Sequence, residues 1–239
     1  MKIAIRGGHN YGVPGASGIL NEVEEDRKIY VKVIGYLKQL GHQILDVTPN
    51  KTATSAEDLS YGVSKANAWA ADYFCSIHLN AGGGKGTEVL YYNWSYKGNT
   101  MATNIVKKIA ALGFVNRGAK ADTRGLYELR YTNMPANIIE VCFVDSQVDV
   151  NLYRKIGVDK IAKAIAEGIT GQVVVDKFPL PLKVIENVQV IKIDGVGLKV
   201  VKEFKPNDLI TAVGEKNEFY ELTIGGVQCW VSKSAVVKR

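Results

Sequence analysis

The 239-residue chain is short of the residues that mark several protein classes. Cysteine occurs only at Cys75, Cys142 and Cys229. An odd count at such wide spacing excludes a disulfide framework and a CxxC metal knuckle. No apolar run reaches the roughly 18 residues that a membrane span needs, so no stable membrane association is expected. The opening Met-Lys-Ile-Ala-Ile-Arg runs as a strand into Gly7-Gly8 and carries neither the h-region nor the cleavage site of a secretory signal. Synthesis in the cytoplasm without a signal peptide is the expectation. The 30 Lys and Arg outnumber the 24 Asp and Glu, for a net charge of +6. These cations are scattered and form no dense basic arm, so no nucleic-acid partner is expected. An anionic partner of another kind stays open. Histidine is equally scarce: any imidazole chemistry must draw on His9, His42 and His78.

What is present, 46% hydrophobic and 23% charged residues, is the composition of a globular chain of one or two domains. Residues 2–6 read as a short strand ending at Gly7-Gly8-His9. Apolar residues Ile29, Val33, Tyr36, Leu37 and Leu40 recur at helical spacing across 22–40, and Gly41 is a stop signal. Further strands are expected at 43–47, 73–78, 87–92, 126–129 and 137–144. Helices are expected at 58–71 and 97–111, with one or two more over 149–169. Strands alternating with helices predict an α/β domain with a mostly parallel sheet flanked by helices. After Gly171 the pattern changes. Pro179 and Pro181 mark a linker over 175–182, which separates a first domain, 1–174, from a second, 183–239. The second contains short β-rich runs at 184–193, 197–204, 209–213, 219–224 and 227–231, with hairpin chemistry at Asp194-Gly195 and Gly225-Gly226.

Parallel α/β sheets gather ligands at the carboxyl ends of their strands. His9 and His78 both fall there, and two imidazoles in equivalent places suit zinc, which needs one more protein ligand if a water is to remain. The candidates are the acids that begin the first helix, Glu22, Glu24, Glu25 and Asp26. Glu22 precedes Ile29 by seven residues and Val33 by eleven, which places it on the buried stripe. Glu25, one turn on, is the second choice, and periodicity alone leaves the two open. Glu24 and Asp26 are expected on flanking or outer faces. His42 follows the helix stop and opens a strand at its amino end, so it reads as structural.

The run Asn137-Ile138-Ile139-Glu140-Val141-Cys142-Phe143-Val144 reads as a strand buried on both faces, with a single carboxylate. Burial of a lone charge is costly, so Glu140 needs a cation, a metal-bound water or a proton. Arg6 and Arg130 are the alternative partners. Burial also raises a carboxyl pKa toward the range of a general base at neutral pH. Zinc beside such a glutamate is an arrangement for amide hydrolysis. Two other patterns fail. The segment 81–87 lacks the first glycine of a phosphate loop and is followed by a strand. Cys75 and His78, three apart on one strand, point to opposite faces.

Taken in order, Gly7-Gly8-His9, Gly18-Ile19-Leu20-Asn21-Glu22, Ser76-Ile77-His78-Leu79-Asn80-Ala81, Gly86-Thr87-Glu88-Val89 with Tyr91-Tyr92, Asn116-Arg117-Gly118-Ala119-Lys120 and Ile139-Glu140-Val141-Cys142-Phe143-Val144-Asp145 resemble the zinc-dependent N-acetylmuramoyl-L-alanine amidases of bacterial autolysins and phage endolysins. The resemblance covers about residues 1–171. It implies zinc held by His9, Glu22 and His78, with Glu140 as the catalytic glutamate. The reaction it implies is cleavage of the amide between the lactyl group of N-acetylmuramic acid and L-alanine in peptidoglycan. The segment 10–17 lacks the Asp-Pro-Gly-Ala run common in autolysins and is closer to the endolysin variety.

The C-terminal part resembles the bacterial SH3-like wall-binding domains, through Gly197-Leu198-Lys199-Val200, Phe219-Tyr220-Glu221-Leu222 and Cys229-Trp230-Val231. Phe219, Tyr220 and Trp230 then serve either as a ligand surface or as the core of a small barrel. Together the two resemblances imply a lysin that acts on the wall after release, with peptidoglycan and anionic wall polymers as partners. The competing expectations are a non-catalytic wall-binding protein with a degenerate amidase domain and a zinc peptidase that cuts within the stem peptide.

Overall fold

The computed structural model describes residues 1–175, 179–193 and 197–239, which divide into two compact units, Met1–Val174 and Val175–Arg239. Among the described residues, the first unit carries strands β1 (Lys2–Gly7), β2 (Gln43–Asp46), β3 (Tyr73–Asn80), β4 (Thr87–Tyr92), β5 (Asn116–Asp122) and β6 (Ala136–Phe143). Its helices are α1 (Glu22–Gln39), α2 (Ser55–Ala68), α3 (Tyr96–Ala110), α4 (Tyr127–Tyr131), α5 (Gln147–Ile156) and α6 (Val158–Thr170). No described helix is long and apolar enough to cross a membrane.

The six strands form one sheet in the order β2-β1-β3-β6-β4-β5. It is mixed: β4 runs antiparallel to β6, while the other pairings are parallel. The cause lies in the chain between β3 and β4, which is too short for the dozen or more residues that a parallel crossover requires. β4 therefore enters the sheet from the end at which β3 leaves it.

Alternation along the strands sorts the core into two layers. Ile3, Ile5, Cys75, Ile77, Ile139 and Val141 share one cluster with Ile29, Val33 and Leu37 of α1, Ile105 of α3 and Ile161 and Ile165 of α6. Ala4, Phe74, Leu90 and Ile138 face the other way, against Ala66 of α2 and Leu129 of α4. α1 starts where Asn21 accepts a hydrogen bond from the Glu24 N–H at 3.2 Å, and α2 starts at a reciprocal capping box between Thr54 and Glu57.

Two assignments change. The expected strand at 126–129 is the short helix α4. Leu126 and Leu129, three apart, both reach the second core layer, and a segment of this length shows no distinctive periodicity. β5 escapes sequence reading because Asn-Arg-Gly-Ala-Lys-Ala-Asp has no apolar alternation, as befits a half-exposed edge strand.

In the second unit the described strands are β7 (Leu180–Val184), β8 (Val188–Ile193), β9 (Leu198–Phe204), β10 (Leu209–Ala212), β11 (Gly214–Lys216), β12 (Phe219–Ile224), β13 (Val227–Ser232) and β14 (Val236–Lys238). They form antiparallel sheets ordered β10-β7-β14 and β11-β12-β13-β8-β9, around Leu182, Val184, Val190, Leu222, Cys229 and Val231. β7 begins at Leu180, inside the segment 175–182 expected as a linker. Pro181 fits there because its carbonyl accepts from the terminal Arg239, so its missing donor falls where the ladder with β14 ends. Gly225 and Gly226 have φ of 57° and 79°, the geometry of a two-residue hairpin turn between β12 and β13. The other expected turn, Asp194-Gly195, lies outside the described residues. Tyr220 packs against the core, whereas Phe219 and Trp230 lie on the opposite side of β12 and β13.

Candidate metal centre and active site

β1 ends at Gly7, and two residues later His9 takes φ +54°, which is uncommon outside glycine. Two arginines hold this turn: Arg27 donates to the Gly8 and His9 carbonyls at 3.1 and 2.7 Å, and Arg6 to the His9 carbonyl at 3.4 Å. The turn brings the His9 ring to 5.1 Å from that of His78, centroid to centroid and nearly perpendicular. A Cβ at Gly8 would overlap the His78 ring, and one at Gly15 would overlap Glu22 and His9, so the backbone here approaches the side chains as closely as glycine permits.

Glu22 comes from the first turn of α1 and is buried on the apolar stripe. Its Oε1 lies 3.0 Å from His78 Nδ1 and accepts the Leu79 N–H at 3.1 Å. Its Oε2 lies 3.7 Å from His9 Nε2 and accepts the Ala16 N–H at 2.6 Å. One donor atom from each of His9, Glu22 and His78 thus falls within 4.8 Å of the others. Two imidazoles and a carboxylate converging in this way are a donor set for a divalent d-block ion with a position left open. Glu25 turns elsewhere, to Tyr153 Oη and Lys28 Nζ, both at 2.8 Å. His42 lies between Gln172 Oε1 at 2.9 Å and the N-terminal amine at 3.2 Å, apart from this cluster. Asp26, expected on a flanking face, is fully buried one turn beyond Glu22; burial pushes its carboxyl up to about 8, against the pull of Arg27.

Glu140 lies in the sheet beside the cluster. His78 of β3, Glu140 of β6 and Glu88 of β4 are register partners, so they form one row across three strands. Glu140 Oε2 is buried without a hydrogen-bond partner. Burial, reinforced by the charges of Glu22 and Glu88, raises the Glu140 carboxyl to about 7, against the opposing charges of His78 and Arg124. An orphaned carboxyl oxygen next to an open ligand position is what a proton-transferring group needs there. Burial disfavours protonated His78, but the Glu22 hydrogen bond and the charges of Glu22, Glu140 and Glu128 outweigh it and hold the ring at about 9. Burial and the neighbouring His78 push His9 the other way, below its ordinary value.

Arg6 does not partner Glu140. Its guanidinium is fully buried between Asp58 Oδ2 at 2.5 Å and Glu128 Oε1 at 3.1 Å. Sequence reading missed Asp58 and Glu128. A signal for the latter exists, since Glu128 is a lone acid between Leu126 and Leu129, much as Glu140 is a lone acid in β6. In the sequence Glu88 stands out only within the run Gly86-Thr87-Glu88-Val89. It accepts from Arg117 Nε at 2.7 Å and Asn80 Nδ2 at 3.1 Å, so the row continues into a charged rim.

An α/β fold that gathers two histidines, a buried carboxylate and a second buried acid at one sheet end has the donor set of a candidate metal-site hydrolase. The sequence profile of the N-acetylmuramoyl-L-alanine amidases matches residues 3–171, and the chain belongs to that family. It is 43% identical over 175 residues to CPE1502 of Clostridium perfringens, covering 71% of this chain and 51% of that protein. It is 32% identical to the N-acetylmuramoyl-L-alanine amidase CwlM of Bacillus licheniformis, over 71% of this chain and 67% of CwlM. Among solved structures, the catalytic domain of the CD27L endolysin, which targets Clostridia difficile, superposes with a TM-score of 0.68 at 34% identity. That match covers 73% of this chain and 99% of that one. The chain spans about half the length of the Clostridium perfringens relatives it matches.

Proposed function

We propose that the protein is a zinc-dependent N-acetylmuramoyl-L-alanine amidase that hydrolyses the amide between N-acetylmuramic acid and L-alanine in bacterial peptidoglycan. The reading rests above all on the convergence of His9, Glu22 and His78 next to the partnerless Oε2 of Glu140. His9, Glu22 and His78 would hold the zinc, which when bound supplies Lewis-acid polarisation of the amide carbonyl and a more acidic water. Glu140 takes the proton of the attacking water and returns it to the departing alanine nitrogen. A carboxyl poised near 7 can do both at neutral pH. Glu22 is fixed by the two backbone N–H groups of Ala16 and Leu79, so its oxygens are set before substrate arrives.

The second unit is read as an SH3-like wall-binding domain, with Phe219 and Trp230, on the side of β12 and β13 away from the core, available to a wall ligand. The whole is read as a phage lysin, made in the cytoplasm and acting on the wall after release. The likeness to the CD27L endolysin domain and the net charge of +6, opposite to that of anionic wall polymers, favour this reading.

Replacing Glu140 by Ala should leave metal binding intact and abolish turbidity clearing of susceptible walls. Full activity in that variant would overturn the assignment of Glu140. Mass analysis of a wall digest should find new L-alanine amino termini. Termini within the stem peptide would make the protein a peptidase, and no new termini would leave a binding protein.

A further inference from the structure

The ring of His78 has two nitrogens, and only Nδ1 faces Glu22. Nε2 lies on the other side of the ring, toward Ser76 and Glu128, which the amidase reading does not use. There Ser76 Oγ lies 2.9 Å from Nε2 and Glu128 Oε2 lies 4.0 Å from it. Ser76 is fully buried and Glu128 is 2% exposed, so water does not dilute either contact. Ser76 precedes His78 by two residues on β3, on the same face of the sheet, and is the register partner of Arg6 on β1.

Arg6 explains how a carboxylate comes to be held there. Its Nη2 binds Asp58 Oδ2, its Nη1 reaches the Asp58 carbonyl at 3.0 Å, and its Nε reaches the Gly7 carbonyl at 3.0 Å. Asp58 is satisfied on its other oxygen by Asn10 Nδ2 at 2.6 Å. Glu128 Oε1 rests on the same guanidinium, while its Oε2 is directed to His78. Two carboxylates thus share one buried cation, leaving a surplus negative charge, and its remaining ion-pair partner within 4.0 Å among the described residues is His78.

We infer that Glu128, anchored by Arg6, and Ser76 together position His78, holding its Nε2 as the N–H side and turning the lone pair of Nδ1 toward Glu22 and His9, where a metal ion would be held. In the structure Nδ1 shares a proton with Glu22 Oε1 at 3.0 Å; a cation held there would take that proton's place, while Nε2 keeps its N–H, which is attracted to the Glu128 carboxylate and donates to the Ser76 hydroxyl. Partners behind a metal-bound imidazole fix its tautomer and ring orientation, and their loss typically costs 10–100-fold in metal affinity. Glu128 and Ser76 are positioning residues here, since both act through His78.

The inference rests on the amidase reading's ligand set, and the test separates the two. Zinc affinity of the full chain is measured by competition with a chromophoric chelator, and the visible spectrum of the cobalt-substituted chain is recorded alongside. Glu128→Gln preserves shape and keeps the Arg6–Asp58 pair, yet should weaken zinc binding about 10–100-fold and shift the cobalt bands. Ser76→Ala removes one hydroxyl and no charge, and should act in the same direction; it decides the matter if Glu128→Gln fails to fold. A purely structural role would lower the melting temperature of the metal-free variants while leaving affinity and spectrum unchanged. Affinities within twofold of the parent in the folded variants would overturn the inference and leave the ligand set standing. Absence of zinc binding by the parent chain, or its persistence in His78→Ala, would instead remove the ligand set and the inference with it.

Discussion

The two faces of the central sheet are built by the same strands and have opposite characters. One is buried and largely apolar: Ile3, Ile5, Cys75, Ile77, Ile139 and Val141 pack under α1, α3 and α6, and the polar Asn137 among them is hydrogen-bonded to Tyr73 Oη and the Gly98 carbonyl. The other is apolar only at one end, at Ala4, Phe74 and Ile138, and turns polar toward the carboxyl ends with Arg6, Ser76, His78 and Glu140. One residue of register separates the two, so a core side chain and a candidate catalytic side chain sit next to each other in β6. This alternation predicts that a change at one set of positions leaves the property carried by the other largely intact.

The neighbours Ile139 and Glu140 give the sharpest test of that division. Glu140→Gln should reduce amide hydrolysis by about 10²–10⁴-fold, measured as release of L-alanine termini, with zinc affinity and melting temperature close to the parent. Ile139→Ala, one residue away, should do the reverse. Truncation at this fully buried site should cost about 2–5 kcal/mol in denaturant unfolding while a folded sample keeps its rate. If both variants lose rate and stability alike, the two faces do not act independently.

The pH profile probes the polar face alone. Burial raises the Glu140 carboxyl to about 7, and a general base works ionised, so kcat/KM should fall as pH drops through that value. A bound cation favours the ionised form, so the acidic limb of the loaded enzyme should lie at or below about 7 and be missing from Glu140→Gln. An unchanged limb in that variant would assign it to another group. The smallest effect belongs outside both faces, at the start of α2. Thr54→Ala removes one half of its capping box and should cost about 1 kcal/mol in thermal unfolding, with hydrolysis unchanged.

Much of this division was legible in the sequence, because it rests on periodicity. Glu22 lies on the apolar stripe of a long helix, and Glu140 interrupts an otherwise apolar strand; both could be picked out without coordinates. Sequence alone could not separate Glu22 from Glu25, since both lie in the first helical turn; coordinates do so through the contacts of Glu25 with Tyr153 and Lys28. Asp26 is buried rather than flanking because a stripe more than 100° wide takes in the residue one turn beyond Glu22. The reversal of β4 was hidden because strand direction depends on connection length, which single-strand patterns do not carry. The Arg6–Asp58–Glu128 network was invisible for a different reason. Its members come from β1, α2 and α4, far apart in the chain, and Arg6 could be matched to any buried acid until α4 replaced the strand expected at 126–129.

The three cysteines, first notable for their small number, have a practical consequence through burial. Cys75 and Cys142 are fully buried in the first unit and Cys229 in the second, all as free thiols. Burial also pushes the Cys75 and Cys142 thiols well above their ordinary range, which suppresses the reactive thiolate. Thiol reagents should therefore modify each cysteine only when its surroundings open. The chain carries its own unfolding reporters, two for the first unit and one for the second. Site-resolved labelling rates would show, without any engineered probe, whether the two units open together or separately.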